Sequence, residues 1–196
     1  MRVEVEEKEL YKYSELSSEA QNKVKEILIE EDRDPDYFED TILEQLATIF
    51  PNSNLKVQFS LSSCQGDGLN IYGDLDTDDL YNYIAAFALN KEYKVPLEDI
   101  KEMLSDKITK ITIPYNRSYN YSMADCVDFD CDFFHETFGT MSTFHAIQSM
   151  TKQIISQKCS GYEKDGYDYF YEMSDEEASD ICNIQEYEFT EDGDFV

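Results

Sequence analysis

The stretch LKVQFSLSSCQGDGLNIYG, residues 55–73, decides the fold. Leu55, Val57, Phe59 and Leu61 alternate with Lys56, Gln58 and Ser60, a period of two that puts the apolar side chains on one face of a strand. Gly66, Asp67 and Gly68 break the pattern and LNIYG resumes it, so the segment reads as a β-hairpin whose turn uses glycine for positive φ. A competing reading makes QGDG a site, with backbone N–H groups holding an anion or Asp67 holding a cation. No Lys or Ser/Thr follows at P-loop spacing and the next element is a strand, which favours the turn.

Working outward, two helices precede the hairpin. Ser17 is placed as an N-cap, with Ala20, Val24, Ile27 and Leu28 at helical spacing, and Asp34 caps a second helix that opens at Pro35 and carries Phe38, Ile42, Leu46 and Ile49 on one face. After the hairpin, residues 77–93 and 96–108 read as helices, the first capped by Thr77 and the second opened by Pro96. KITIPYN (110–116) and YSMADCVDFDCDFF (121–134) form a second strand pair. Residues 142–161 make a longer helix ending near Gly161. One or two short helices follow, with Ser174 as a cap, and EYEFTED (186–192) is expected as a closing strand. Hairpins alternating with helices predict an α+β domain, an antiparallel sheet with helices packed on one face, spanning residues 1–196 as a single unit.

The 43 acidic and 16 basic residues leave a net charge of −27, more than solubility requires and unfavourable for a compact state. With 41% hydrophobic residues and only 4 Pro and 7 Gly, the chain still has the material for a core, which excludes a disordered tail as the explanation. Such a field repels anionic lipid and nucleic acid and selects a basic partner. Five scattered cysteines, Cys64, Cys126, Cys131, Cys159 and Cys182, include no CxxC pair. Reduced and mostly buried thiols in a cytoplasmic protein are therefore expected. Neither a leader nor an apolar run of membrane-spanning length is evident.

Candidate chemistry is sparse. DLDTDD (74–79) begins like a calcium loop but has Asp79 where glycine is required and Ala85 where the bidentate glutamate belongs, so it is expected to be a solvated turn and helix start. His135 and His145, with Ser142, Thr143, Asp132 and Glu136 nearby, could be drawn as a hydrolytic site, but no nucleophile elbow or metal-ligand pair accompanies them. No catalytic residue, metal or cofactor is assigned.

CVDFDCDFFHE (126–136) is more distinctive. As a strand it directs Val127, Phe129, Cys131 and Phe133 inward and Asp128, Asp130 and Asp132 outward. Alternate carboxylates then stand about 6.6 Å apart, twice a rise of about 3.3 Å, close to the spacing of phosphates along a nucleic-acid strand. Protection of a sheet edge is the competing explanation. From residue 118 onward, 18 acidic residues face 3 basic ones, a net of −15. The partner-binding candidates are therefore Asp128, Asp130 and Asp132, then Asp175, Glu176, Glu177 and Asp180, then Glu191, Asp192 and Asp194.

Three landmarks, YKYSELSSEAQNKVKE (11–26), FSLSSCQGDGLNIYG (59–73) and IQEYEFTEDGDFV (184–196), resemble a family of small acidic proteins encoded by phages, prophages and other mobile elements, some of them labelled antitoxin-like. The resemblance implies a protein that disarms a host nucleic-acid-binding defence, such as an anti-CRISPR or anti-restriction protein, with no cofactor. The carboxylate spacing and the acidic field add the expected mode, DNA or RNA mimicry in a basic groove of the host enzyme. An antitoxin neutralising one basic protein is the alternative, and a hydrolase using His135 or His145 the third.

Overall fold

The computed structural model describes residues 9–62, 64–116, 122–133 and 141–196. These form an α+β fold with six α-helices and a four-stranded antiparallel sheet in the order β1-β2-β3-β4. The chain gathers into two compact units, one of residues 35–166 and one of residues 1–34 with 167–196.

The first unit holds the sheet. β1 (Asn54–Ser60) pairs with β2 (Gly68–Leu75) from Asn54↔Asp74 to Ser60↔Gly68, the hairpin expected from residues 55–73. β2 pairs with β3 (Ile108–Ile113), and β3 with β4 (Asp130–Phe133) across an irregularity between Ile108 and Lys110. Val57, Leu69, Ile71, Leu75, Ile111 and Ile113 are buried, while Lys56 and Gln58 on β1 and Asp130 and Asp132 on β4 are exposed. On β1 burial follows the alternation, with Leu55, Val57 and Phe59 less exposed than Lys56 and Gln58, whereas on β2 residues 68–71 are buried in succession. Helix α2 (Pro35–Ile49) packs on β1 through Phe38, Ile42 and Leu46, and α3 (Thr77–Ala86) on β3 through Leu80 and Ile84. The short α4 (Leu97–Glu102) runs on into a π turn over Met103–Lys107.

The hairpin loop is organised from within. Asp67 is buried and its carboxylate accepts hydrogen bonds from Ser60 Oγ (2.7 Å), Ser62 N (2.7 Å), Cys64 N (2.9 Å) and Cys64 Sγ (3.1 Å). Gly66, at φ +85°, supplies the left-handed residue that turns the chain beneath it. Bonds from the Cys64 and Ser60 side of the loop hold the Asp67 carboxyl far below the usual carboxylate range. With these donors directed at Asp67, QGDG is a turn, and its lone pairs are used by the loop itself.

Helix α5 (Met141–Tyr171) continues ten residues beyond the expected stop at Gly161. Ala146, Ile147, Met150, Ile154, Ile155, Cys159 and Tyr162 make a continuous buried stripe at helical spacing, and that burial outweighs the roughly 1 kcal/mol that an internal glycine costs. Gly166, also helical, leaves room for Leu61 and Phe38.

The second unit is built from both ends of the chain. Helix α1 (Ser18–Asp32) starts at Ser17, whose Oγ accepts from Ala20 N at 3.2 Å, and α6 (Asp175–Ile184) at Ser174, whose Oγ accepts from Glu177 N at 3.1 Å. Its core joins Tyr13, Leu16, Ala20, Val24 and Leu28 to Ala178, Cys182 and Phe189. The expected closing strand is reduced to two isolated bridges, Tyr11↔Phe189 and Phe189↔Phe195. The turn between them ends at Gly193 (φ +81°), where a Cβ would lie 2.8 Å from the Ala20 carbonyl oxygen. The first and third landmarks are thus contact partners.

Three further expectations are corrected. The cap of α3 is Asp76, whose carboxylate accepts from Asp78 N (2.9 Å) and Asp79 N (3.1 Å), and Thr77 is its first residue. Asp79 is buried rather than solvated, accepting from Asn52 N, Asn52 Nδ2 and Ser53 Oγ at 2.8–2.9 Å. Among the cysteines, only Cys159 and Cys182 are buried; Cys126 and Cys131 are half-buried and Cys64 is exposed.

Candidate partner-binding surfaces

The aspartate ladder is shorter than its sequence pattern. β4 begins at Asp130, and residues 123–126 form a 3-10 turn, so Asp128 precedes the strand. All three carboxylates are exposed and Phe129 between them is buried, which preserves the alternation. Asp128 is tied to α5 by an ion pair with Lys152 (2.6 Å) and accepts from Phe129 N at 2.8 Å. Lys152 chiefly, helped by that N–H, lowers its pKa.

Asp130 and Asp132 carry the ladder proper. Asp130 stands opposite Thr112, which stands opposite Asp74 on β2, and Asp132 stands opposite Lys110. Lys110 Nζ lies 3.2 Å from Asp74, and Thr112 Oγ1 donates to Asp74 at 3.0 Å. These two partners, Lys110 first, lower the Asp74 pKa. The row is therefore acidic at the β4 edge and partly neutralised one strand inward. Burial foremost, then the charges of Asp130 and Asp132, raises the pKa of Cys131 between them, as crowded carboxylates should. Beside this row a 230 Å³ hollow is lined by Asn52, Asn54, Asp74, Asp76, Thr109 and Lys110.

The remaining candidates belong to the second unit. Asp175, Glu176 and Glu177 fill the first turn of α6, where the helix dipole favours carboxylates, so their clustering has a local cause. Asp175 pairs with Lys25 (2.7 Å), Glu177 with Arg33 (2.8 Å) and Asp194 with Lys23 (2.5 Å). Lys25 lowers the Asp175 pKa, and Tyr13 adds to it through a 3.4 Å bond from its hydroxyl. Glu176, Asp180, Glu191 and Asp192 are exposed and in no ion pair among the described residues. Glu191 and Asp192 line an open groove of 460 Å³ with Glu19, Glu26 and Lys23.

Reading the sequence alone missed Arg33, which sits in the acidic run EEDRDPD and offers no local cue that its side chain is inward. It also missed Glu19 and Glu26, since the turn that completes their groove is over 160 residues away. His145 is exposed on α5 with its ring 5.7 Å from that of Phe144, and His135 lies outside the described residues. Among the described residues no group of three or more His, Cys, Asp or Glu side chains could hold a metal ion, and no helix is long and apolar enough to cross a membrane. Comparison with protein-family models, curated proteins and solved structures finds no match to this chain.

Proposed function

We propose that the chain is a phage-type anti-defence inhibitor that acts in the cytoplasm of a bacterial host cell by stoichiometric binding. Its acidic surface occupies the basic nucleic-acid groove of a CRISPR or restriction nuclease in place of DNA or RNA. The observation that carries the reading is the exposed pair Asp130 and Asp132 on an edge strand, about 6.6 Å apart along it, in a chain of net charge −27. A groove built for phosphates gains the same charge-assisted hydrogen bonds from carboxylates at that spacing. Asp128 extends the row once a competing cation replaces Lys152. Glu176, Asp180, Glu191 and Asp192 supply the long-range field that speeds encounter.

The test is the triple variant Asp128→Asn, Asp130→Asn, Asp132→Asn. It should remain folded and lose inhibition of, or binding to, the nuclease, while DNA or RNA competes with the unaltered chain. Wild-type affinity should fall steeply with salt, because the screening length shrinks from about 10 Å at 0.1 M to about 3 Å at 1 M. Full inhibition by a soluble triple variant would overturn the assignment. Loss of inhibition in a well-folded His145→Ala variant would move the reading to an enzyme, and salt-sensitive capture of a small basic toxin to an antitoxin.

A further inference from the structure

Arg33 is the C-cap of α1, with backbone at φ −86° and ψ 103°, so its side chain leaves the helix instead of lying along it. It enters a pocket whose three walls come from one short stretch, residues 169–177. The Tyr169 ring lies under the guanidinium, with Cζ 4.8 Å from the ring centroid. The Glu172 carbonyl oxygen accepts from Nη2 at 3.0 Å and Glu177 Oε1 accepts from Nη1 at 2.8 Å. Only 9% of the side chain is exposed.

Each wall suits a planar guanidinium better than an ammonium: an aromatic face to stack on, and two acceptors that meet separate arms of the fork. The walls are placed without Arg33. Glu177 is positioned by the start of α6, where its own N–H donates to Ser174 Oγ. Tyr169 stands in the last turn of α5, its hydroxyl accepting from Asp34 N at 3.2 Å, and Glu172 follows that turn with its N–H on the Asp168 carbonyl, so none of the three depends on the Arg33 side chain. Helix α1 is likewise held without it, through Ala20, Val24 and Leu28 in the core of the unit. The fit is also incomplete, because Arg33 Nε is buried and has no hydrogen-bond partner among the described residues. Leaving the pocket restores that bond to water, which lowers the cost of exchange.

We propose that this pocket is an arginine receptor, closed by Arg33 in the isolated chain and taken over by an arginine of the basic partner in the complex. The proposal rests on the basic-partner reading above and gives it a specific contact: an arginine, not a lysine, docking between Tyr169 and Glu177. Since the other basic residues described in the N-terminal segment, Lys12, Lys23 and Lys25, also pair with C-terminal carboxylates, Arg33 is the most enclosed member of a set of internal ligands.

The chain has three arginines, Arg2, Arg33 and Arg117, so the Nε–H signal of Arg33 can be followed in the unaltered ¹⁵N-labelled protein. Titration with an oligoarginine peptide should displace that signal and speed its exchange with solvent at least tenfold, whereas oligolysine of equal charge should leave it in place. In parallel, Arg33→Ala should melt at a lower temperature and regain part of the loss with N-ethylguanidinium, not with ethylammonium, and not when Glu177→Gln is added. An Arg33 signal unmoved by saturating oligoarginine, or moved equally by oligolysine, overturns the proposal, and it does so even if Arg33→Ala fails to fold. A folded Arg33→Ala chain indifferent to N-ethylguanidinium overturns it as well. Because the exchange is read on the isolated chain, its failure leaves the nuclease reading standing, and failure of that reading leaves the exchange measurable.

Discussion

The two units use their carboxylates differently. In the sheet unit, Asp67 and Asp79 are buried organisers of loops, each satisfied by hydrogen-bond donors close to it in sequence or fold, while Asp130 and Asp132 face outward at the sheet edge. In the unit built from the chain ends, the acids are cross-ties. Glu188, Asp194, Asp175 and Glu177 pair with Lys12, Lys23, Lys25 and Arg33, every pair joining the N-terminal to the C-terminal segment. Carboxylates that look equivalent in a list of 43 therefore differ in what removing them would do. Removing a buried one should act on local folding, removing a cross-tie on the closure of the ends, and removing an edge one, under the proposed function, on partner binding.

That contrast is broken most forcefully at Asp67. Asp67→Ala removes the buried carboxylate that accepts from the N–H groups of Ser62 and Cys64 and from Ser60 Oγ, and should cost about 2–3 kcal/mol in denaturant unfolding. Because the folded pKa is depressed, the stabilisation is full above the unfolded value of about 3.9 and is lost as pH falls through the folded one, so variant and wild type should converge in strong acid. A constant gap between them down to acid unfolding would mean that the charge of Asp67 is irrelevant.

Glu177→Gln comes next. It keeps a neutral acceptor in reach of Arg33 but removes the charge from a pair whose arginine is nearly enclosed, with an expected loss of about 1–2 kcal/mol. A change no larger than that at the edge would erase the distinction between cross-ties and edge acids. Asp130→Asn with Asp132→Asn should leave stability within about 0.5 kcal/mol, since exposed sites without special features seldom exceed that. A large loss there would make the β4 acids structural and deprive mimicry of its best surface.

The smallest perturbation is chemical labelling. Native protein should react at Cys64, resist at Cys182, and resist most at Cys159, whose thiol burial pushes up to about 12, until it is unfolded. Fast native labelling of Cys159 would contradict its burial against β2, where Ile71 N donates to its Sγ at 3.3 Å.

Local signals were legible where local physics decides. Ser17 and Ser174 cap the helices expected of them because the cap bond spans three residues, and the hairpin at 54–75 follows from alternation and a glycine turn. The errors share one cause. Gly161 reads as a stop, EYEFTED as a strand and residues 122–129 as part of β4, each from a pattern whose outcome depends on what lies across from it. α5 has a buried stripe that carries it past glycine, whereas residues 188–196 find only isolated bridges. Of the candidate residues, the sequence identified the exposed carboxylates but not their separation into paired and outward ones, and it gave no sign of the Tyr169–Glu177 pocket.

The sequence by itself determined the net charge of −27, the hairpin alternation and the capped helices, because charge is additive and periodicity and caps act over a few residues. Only the tertiary structure decided which carboxylates remain available to a partner. Lys23 and Asp194 are 171 residues apart, and Arg33 and Glu177 are 144 apart. Hydrogen bonds fall off within a few ångströms and screened Coulombic energies within about 10 Å at 0.1 M salt, so whether a charge is neutralised depends on neighbours that only the folded chain brings into range.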